Sequence, residues 1–197
     1  RELARRLGLP VEFVSHPNPG ALAGAAGSNV WDVGFLGAEP QRANEIDFTA
    51  AYVEIESTYL VPPGSPLKHA NDVDRKGVRI IVPEKAAYEL YLTRTIKNAE
   101  LVRDKGGDLC FKRFVDEKFD ALAGLKPRLI SDQAKFPGST IVDGNFTAVL
   151  QAAGVPKGRP NAAKYLAAFI EDAKASGLVA RAIADNKVVG LTISAPA

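Results

Sequence analysis

Short β-branched and aromatic runs alternate with amphipathic stretches along most of this chain, and that alternation dictates an α/β fold. Trp31 to Gly37 reads as a buried strand ending in a glycine loop. Tyr52 to Val61 reads as a longer strand rich in β-branched and aromatic residues. The cluster Pro62-Pro63-Gly64-Ser65-Pro66 then stops the pattern. Beyond it the same grammar restarts. Val78 to Val82 is a strand, Ala86 to Lys97 a helix, Glu100 to Val102 a strand, Leu109 to Val115 a helix and Phe119 to Gly124 a strand. Strand–helix alternation with short connections predicts mostly parallel sheets. The break predicts two lobes, one of residues 1–61 plus 147–197 and one of residues 62–146.

Local signals fill in the rest. Leu3 to Leu7 ends a helix at Gly8, and Val11 to Val14 alternates apolar and polar like a strand. His16 to Gly20 is a turn, and Ala21 to Ala26 is a small-residue helix closed by Gly27. Pro40 to Asn44 forms a helical turn, and Asn71-Asp72-Val73 reads as a helix cap. Leu166, Phe169, Ile170 and Ala173 share one helical face. Gly177 separates that helix from a second, Leu178 to Asp185.

Composition narrows the function classes. The 197 residues are 46% hydrophobic, enough to bury a core or two small ones without staples. Lys plus Arg number 25 against 23 Asp plus Glu, and no basic stripe occurs, so no nucleic-acid partner is expected. One cysteine and two histidines cannot build a zinc finger, and no metal or cofactor is expected. Gly20, Gly24 and Gly27 lack the dinucleotide fingerprint, and no P-loop motif occurs. No apolar run reaches membrane-spanning length. The first residues, Arg-Glu-Leu-Ala-Arg-Arg-Leu-Gly, read as the inside of an amphipathic helix, so a preceding segment is expected, and a targeting signal could have gone with it.

From Trp31 to Tyr52 the chain resembles a known family. The strand Trp31-Asp32-Val33-Gly34-Phe35-Leu36-Gly37 is followed by Arg42 and by Ile46-Asp47-Phe48-Thr49-Ala50-Ala51-Tyr52. This is similar to the family 3 extracellular solute-binding proteins, the polar-amino-acid receptors of bacterial ABC importers. Pro66 with Asn71-Asp72-Val73, then Phe119-Asp120-Ala121, then Gly154 to Gly158 continue the likeness in order. The resemblance implies a type II periplasmic-binding-protein fold, two α/β lobes joined by crossover strands near Tyr59 to Val61 and Asn145 to Val149. It also implies a first strand and a ligand-contacting loop ahead of Arg1.

The resemblance assigns Arg42 to a ligand carboxylate, which a guanidinium grips through two parallel hydrogen bonds. Spacing alone reads Arg42 as a solvated helix residue. Phe35, Leu36 and Gly37 lie at the carboxyl end of a strand, where open α/β sheets bind ligands. Phe35 either packs on the ligand or belongs to the core. Pro83, Ala86, Ala87 and Tyr88 join a strand to a helix whose N-terminal N–H groups suit an anion. Tyr88 lines the cleft or joins the buried face of its helix. Lys85 adds positive charge there.

Amino-acid receptors of the family carry an aspartate after the strand that here ends Ala123-Gly124, pairing it with the ligand's ammonium group. This chain has Leu125-Lys126-Pro127. An ammonium group buried without a partner costs several kcal/mol, so the expected ligand is a carboxylate without a free α-amine, with Lys126 facing a second anionic group.

The expected function is that of a periplasmic receptor for an ABC importer, or an extracellular, membrane-tethered one in a Gram-positive source. It would be monomeric and non-enzymatic. It would bind a small carboxylate-bearing solute, an amino acid or related organic acid, by hinge closure and then dock on an inner-membrane ABC permease. Two other readings stand beside it: an enzyme similar to cyclohexadienyl dehydratase, with Glu84 as general acid, and the ligand-sensing domain of a regulator.

Overall fold

The computed structural model describes residues 1–197. In chain order its helices and strands are α1 (Glu2–Leu7), α2 (Pro19–Gly24), β1 (Gly34–Gly37), β2 (Ile46–Val61), β3 (Arg79–Pro83), α3 (Ala87–Thr95), β4 (Glu100–Asp104), α4 (Gly106–Asp116), β5 (Ala121–Leu125), α5 (Lys126–Gln133), β6 (Thr140–Ile141), β7 (Thr147–Pro156), α6 (Pro160–Ala175), α7 (Leu178–Asp185) and β8 (Leu191–Ile193). Single 3-10 turns occupy Ala26–Ser28, Arg42–Asn44 and Ala70–Asp72.

The strands form one sheet in the order β1-β7-β2-β5-β3-β4, with β6 and β8 also paired to β2. The 16-residue β2 pairs with β7 along Ile46 to Ser57 and with β5 along Ser57 to Leu60. It therefore ties the two ends of the sheet into one ladder. The expectation of mostly parallel pairing does not hold. Only β3 pairs in parallel, with β4 and β5, and every pairing of β2 is antiparallel. Strand–helix alternation forces parallel neighbours only where a helix returns the chain, and β2 and β7 follow loops instead.

The cores fall into two groups at opposite ends of the sheet. Near β4, alternate residues of the strands go to opposite faces. Ile80, Val82, Ala121 and Ala123 join Tyr59 and Leu92 on the face covered by α3. Ile81 and Leu122 join Cys110, Phe114 and Leu129 on the face covered by α4 and α5. Near β1, Ala153 and Val155 pack against Leu166, Phe169 and Ile170 of α6, and Leu36 and Ile46 against Ala26 and Trp31. The predicted apolar face of α6 is thus the buried one. Where β7 crosses β2, a Cβ on Gly154 would stand 2.4 Å from the Ile46 Cγ2, so only glycine permits the approach.

Several local expectations are corrected. Val11 to Val14 is not a strand; it joins no ladder, and Val11, Phe13 and Val14 are exposed. Alternation gives a segment an apolar face, but a strand needs a hydrogen-bonding neighbour. The strand expected from Trp31 begins only at Gly34. Trp31 turns under the sheet, and its indole Nε1 donates to Leu22 O at 3.0 Å. The stretch after β5 is helix α5, with Pro127 in its first turn, where the missing N–H is not needed. His69, rather than Asn71, caps the turn at Ala70, accepting from Asn71 N while Asp72 accepts from His69 N.

Candidate functional site

Arg42 stands in the short turn after β1 and is 6% exposed. Its Nη1 donates to Gly37 O at 2.7 Å and its Nη2 to Lys85 O at 3.0 Å. One guanidinium thereby joins the end of β1 to the loop after β3. Two of its five N–H donors are used, and three remain for other acceptors. Burial lowers the pKa of Arg42 and nearby Glu39 opposes the shift, so the group stays cationic at neutral pH.

The loop that meets Arg42 is held in an uncommon shape. Lys85 has φ 61°, the left-handed region that side chains rarely adopt. Its N–H donates to Glu89 Oε2 at 3.1 Å. Glu89 sits in the first turn of α3, where negative charge suits the helix dipole. It is 5% exposed and also accepts from Arg103 Nε and Thr93 Oγ1, each at 2.7 Å. A buried carboxylate is tolerated because these partners satisfy it.

Other elements close in around the same point. A Cβ on Gly37 would lie 2.7 Å from Val149 Cγ1, 3.0 Å from Ala87 Cβ and 3.6 Å from Arg42 Nη1. A Cβ on Gly20 would lie 2.7 Å from Lys85 Cβ. Arg94 Nη2 of α3 reaches Glu39 Oε2 at 3.2 Å. Beside Arg42 opens a cleft of about 260 Å³. Its walls include Gly20, Ala23 and Gly24 of α2, facing Lys85, with Gln41 and Glu45 beside Arg42. Two cationic side chains and one carboxylate line it, so its charge favours an anionic group. A larger hollow of about 490 Å³ lies between α6 and the C-terminal residues. Its lysine, Lys174, is committed to Ala51 O, Ala195 O and Glu171.

Of the residues expected at a site, the structure brings Gly37, Arg42 and Ala87 together. Ala86 is the buried N-cap of α3 and offers backbone only. Pro83 ends β3 in register with Asp104. Tyr88 packs against the core beneath α3, and burial raises the pKa of its phenol. Leu36 is buried against Trp31 and Ile46. Phe35 is half exposed and meets Tyr52 edge-on, with ring centroids 6.1 Å apart. Leu125 caps α5 opposite Ser57.

Lys126 Nζ pairs with Glu56 Oε2 at 2.5 Å. Glu56 is in register with Ala148 and Ile55 with Val149, so Glu56 and Val149 point to opposite faces of the sheet. The sequence reading missed Glu45, Gln41 and Glu89. For Glu89 a signal existed, its position three residues after the N-cap Ala86, the spacing at which a glutamate reaches back to the start of a helix.

Comparisons with known proteins agree with this architecture. No curated protein sequence matches the chain. Among solved structures it is similar to a substrate-binding protein of an amino acid ABC transporter, with TM-score 0.78 and 19% identity over 93% of this chain and 82% of the other. It is similar to a putative ABC transporter binding component from Wolinella succinogenes complexed with lysine, with TM-score 0.80 and 18% identity over 93% and 81%. It is also similar to an ancestral amino acid-binding protein, a precursor of cyclohexadienyl dehydratase, with TM-score 0.76 and 22% identity over 93% and 80%. These likenesses establish the type II periplasmic-binding-protein fold. A family model, bacterial extracellular solute-binding proteins, family 3, matches residues 1–185. No helix is long and apolar enough to cross a membrane. On the family match and the fold together, the chain belongs to the family 3 bacterial extracellular solute-binding proteins.

Proposed function

We propose that this protein is the solute receptor of a bacterial ABC importer and that it takes a small carboxylate-bearing solute, an amino acid or related organic acid, in the Arg42 cleft. The observation that carries the reading is the buried Arg42 guanidinium, which joins two segments distant in sequence and keeps three N–H donors uncommitted. The lobes are residues 1–61 plus 147–197 and residues 62–146, with β2 and β7 as the connecting strands. The two groups of cores support such a division, although Tyr59, Leu60 and Val61 at the end of β2 pack with the core of residues 62–146; it sets Gly37 and Arg42 in one lobe and Lys85 and Ala87 in the other. Solute binding closes the lobes, and the closed form docks on an inner-membrane permease from the periplasm.

The cleft residues act by binding alone. The cationic pair Arg42 and Lys85 draws in the carboxylate, and the small residues of α2 leave room for a compact apolar portion. Glu84, the candidate acid of the enzyme reading, is not among the residues lining the cleft. Leu125 supplies no charge for an α-ammonium group, which favours an organic acid. A specific observation supports the amino-acid alternative: Glu45 is the one carboxylate on the cleft wall.

The test is a thermal-shift panel of amino acids, dicarboxylates and aromatic acids. A ligand that binds only the folded state raises its stability by mass action, by about 2.7 kcal/mol at a hundred times Kd. A saturable shift with a carboxylate, lost in Arg42→Ala, is the expected result. A shift with amino acids that Glu45→Gln removes would select the zwitterion. Turnover of prephenate or arogenate would overturn the receptor reading.

A further inference from the structure

One edge of β2 changes hands partway along the strand. β5 holds it from Leu60 back to Ser57, where Leu125 is in register. β8 holds it from Ile55 back to Val53, with Leu191 and Ile193 in register. Glu56 stands between the two pairings, and its ladder partner is on the other edge, Ala148 of β7. The packing divides at the same place. Tyr59, Leu60 and Val61 join the cores around β3 and β5, whereas Tyr52 packs with Ala153 and the buried face of α6. Phe146, just before β7, packs with Tyr59 and not with α6.

β8 is fastened to one side of that seam. Ser194 N donates to Tyr52 O at 3.2 Å. Antiparallel ladder bonds recur at every second residue, which sets the Thr192 N–H against Glu54 O. Lys174 Nζ of α6 donates to Ala51 O at 3.3 Å and to Ala195 O at 2.8 Å. One buried ammonium thus ties β2 and the residues after β8 to α6. The start of β8 abuts α5, where a Cβ on Gly190 would stand 3.3 Å from Pro127 Cδ.

We propose that β8 is a strap that fixes β2 as far as Ile55 to the α6 lobe, and so confines the rotation between lobes to Glu56, with Ala148 opposite it on β7. The strap deepens the two-lobe receptor reading and rests on it. Ser57 to Val61 then move with residues 62–146. A hinge is a few residues that absorb the change in backbone dihedrals. With the strap in place the rotation has one position on β2 and a defined axis. With it detached, Val53, Glu54 and Ile55 share the rotation, and the lobes scatter over more orientations.

The measurement is a distance distribution by double electron–electron resonance on the purified chain without added solute. One label pair, Lys112→Cys on α4 and Lys164→Cys on α6, spans the hinge. A reference pair, Lys97→Cys and Lys112→Cys, lies within residues 62–146. All three positions are exposed. Cys110 is fully buried and stays unlabelled. Thr192→Pro, which removes a ladder donor from β8, is expected to broaden the spanning distribution and leave the reference pair unchanged. Thr192→Val, which keeps the N–H and suits a strand, is expected to match the parent. Lys174→Met, which withdraws the ammonium and keeps the stem, takes the place of Thr192→Pro if that chain does not fold, with the same broadening expected.

A spanning distribution left at the parent's width overturns the strap, even where the variant loses thermal stability. Equal broadening by Thr192→Val overturns it too, because the ladder donor is still present. The parent separates these results from failure of the reading beneath them. If its spanning pair is broader than its reference pair, the lobes move and the two-lobe reading stands without the strap. If the spanning pair is as narrow as the reference pair in every chain, both fail.

Discussion

Lys126 Nζ lies 2.5 Å from Glu56 Oε2, a contact between residues 70 apart in sequence that gives the lysine a partner within the chain. Both side chains are about two-fifths exposed. Exposed pairs of this kind are worth about 0–1 kcal/mol, because water and salt screen them. Lys126→Gln is therefore expected to change stability by less than about 1 kcal/mol and to leave carboxylate affinity within about threefold, since less than 0.7 kcal/mol is at stake. Urea unfolding and isothermal titration check the two halves. A tenfold loss of affinity would return Lys126 to the site.

Gly154 tests the crossing of the two long strands. An added methyl would stand 2.4 Å from Ile46 Cγ2 and 3.3 Å from Asp47 O, and the backbone oxygen cannot swing away. Gly154→Ala is expected to cost about 1–3 kcal/mol, the usual penalty for overpacking a filled interior. A denaturation midpoint unchanged from the parent would mean the strands cross less tightly than described.

Glu2 supplies a pH-dependent contact at the first helix. Hydrogen bonds from Arg5 and Arg6 lower its pKa from 4.5 to about 2. The folded value lies below the unfolded one, so the contribution is complete above pH 4.5 and fades as pH falls toward about 2. Glu2→Gln removes it at every pH. The parent and Glu2→Gln are expected to differ in stability at pH 6 and to converge near the acid limit, as read by urea titrations at several pH values. A difference that stays constant with pH would contradict the assignment.

Cys110 is fully buried against Phe114 and Leu129, and burial pushes its thiol up to about 12. The thiolate is the reactive form, so the folded chain should resist alkylation at pH 8 and react fully once denatured. Rapid modification of the native chain would show that α4 does not cover the sulfur.

Much of this fold was legible because it is written in local periodicity. The apolar face of α6, the left-handed stop at Gly8 and the strands β3 and β5 all follow from residues close in sequence. Register and direction were not legible. Val11 to Val14 has the alternation of a strand but no ladder, and the antiparallel run of β2 against β7 joins segments about a hundred residues apart. At the site, Arg42 and Gly37 were found through family likeness and sit together. The partner of Arg42 is a backbone carbonyl, which carries no signature in the residue at position 85. The pairing of Glu56 with Lys126 was not legible because only the folded chain brings the two together.

Binding of a solute carboxylate by Arg42 is the core of the proposed receptor function. Its most direct test is isothermal titration with one solute in two forms, the free acid and its neutral amide, against the parent and Arg42→Ala. The acid is expected to bind the parent, the amide to bind at least tenfold more weakly, and Arg42→Ala to lose roughly 10- to 100-fold for the acid, about the 1.5–3 kcal/mol of a charge-assisted hydrogen bond. The amide should be nearly indifferent to the substitution. Equal binding of acid and amide, or an acid affinity untouched by Arg42→Ala, would contradict it.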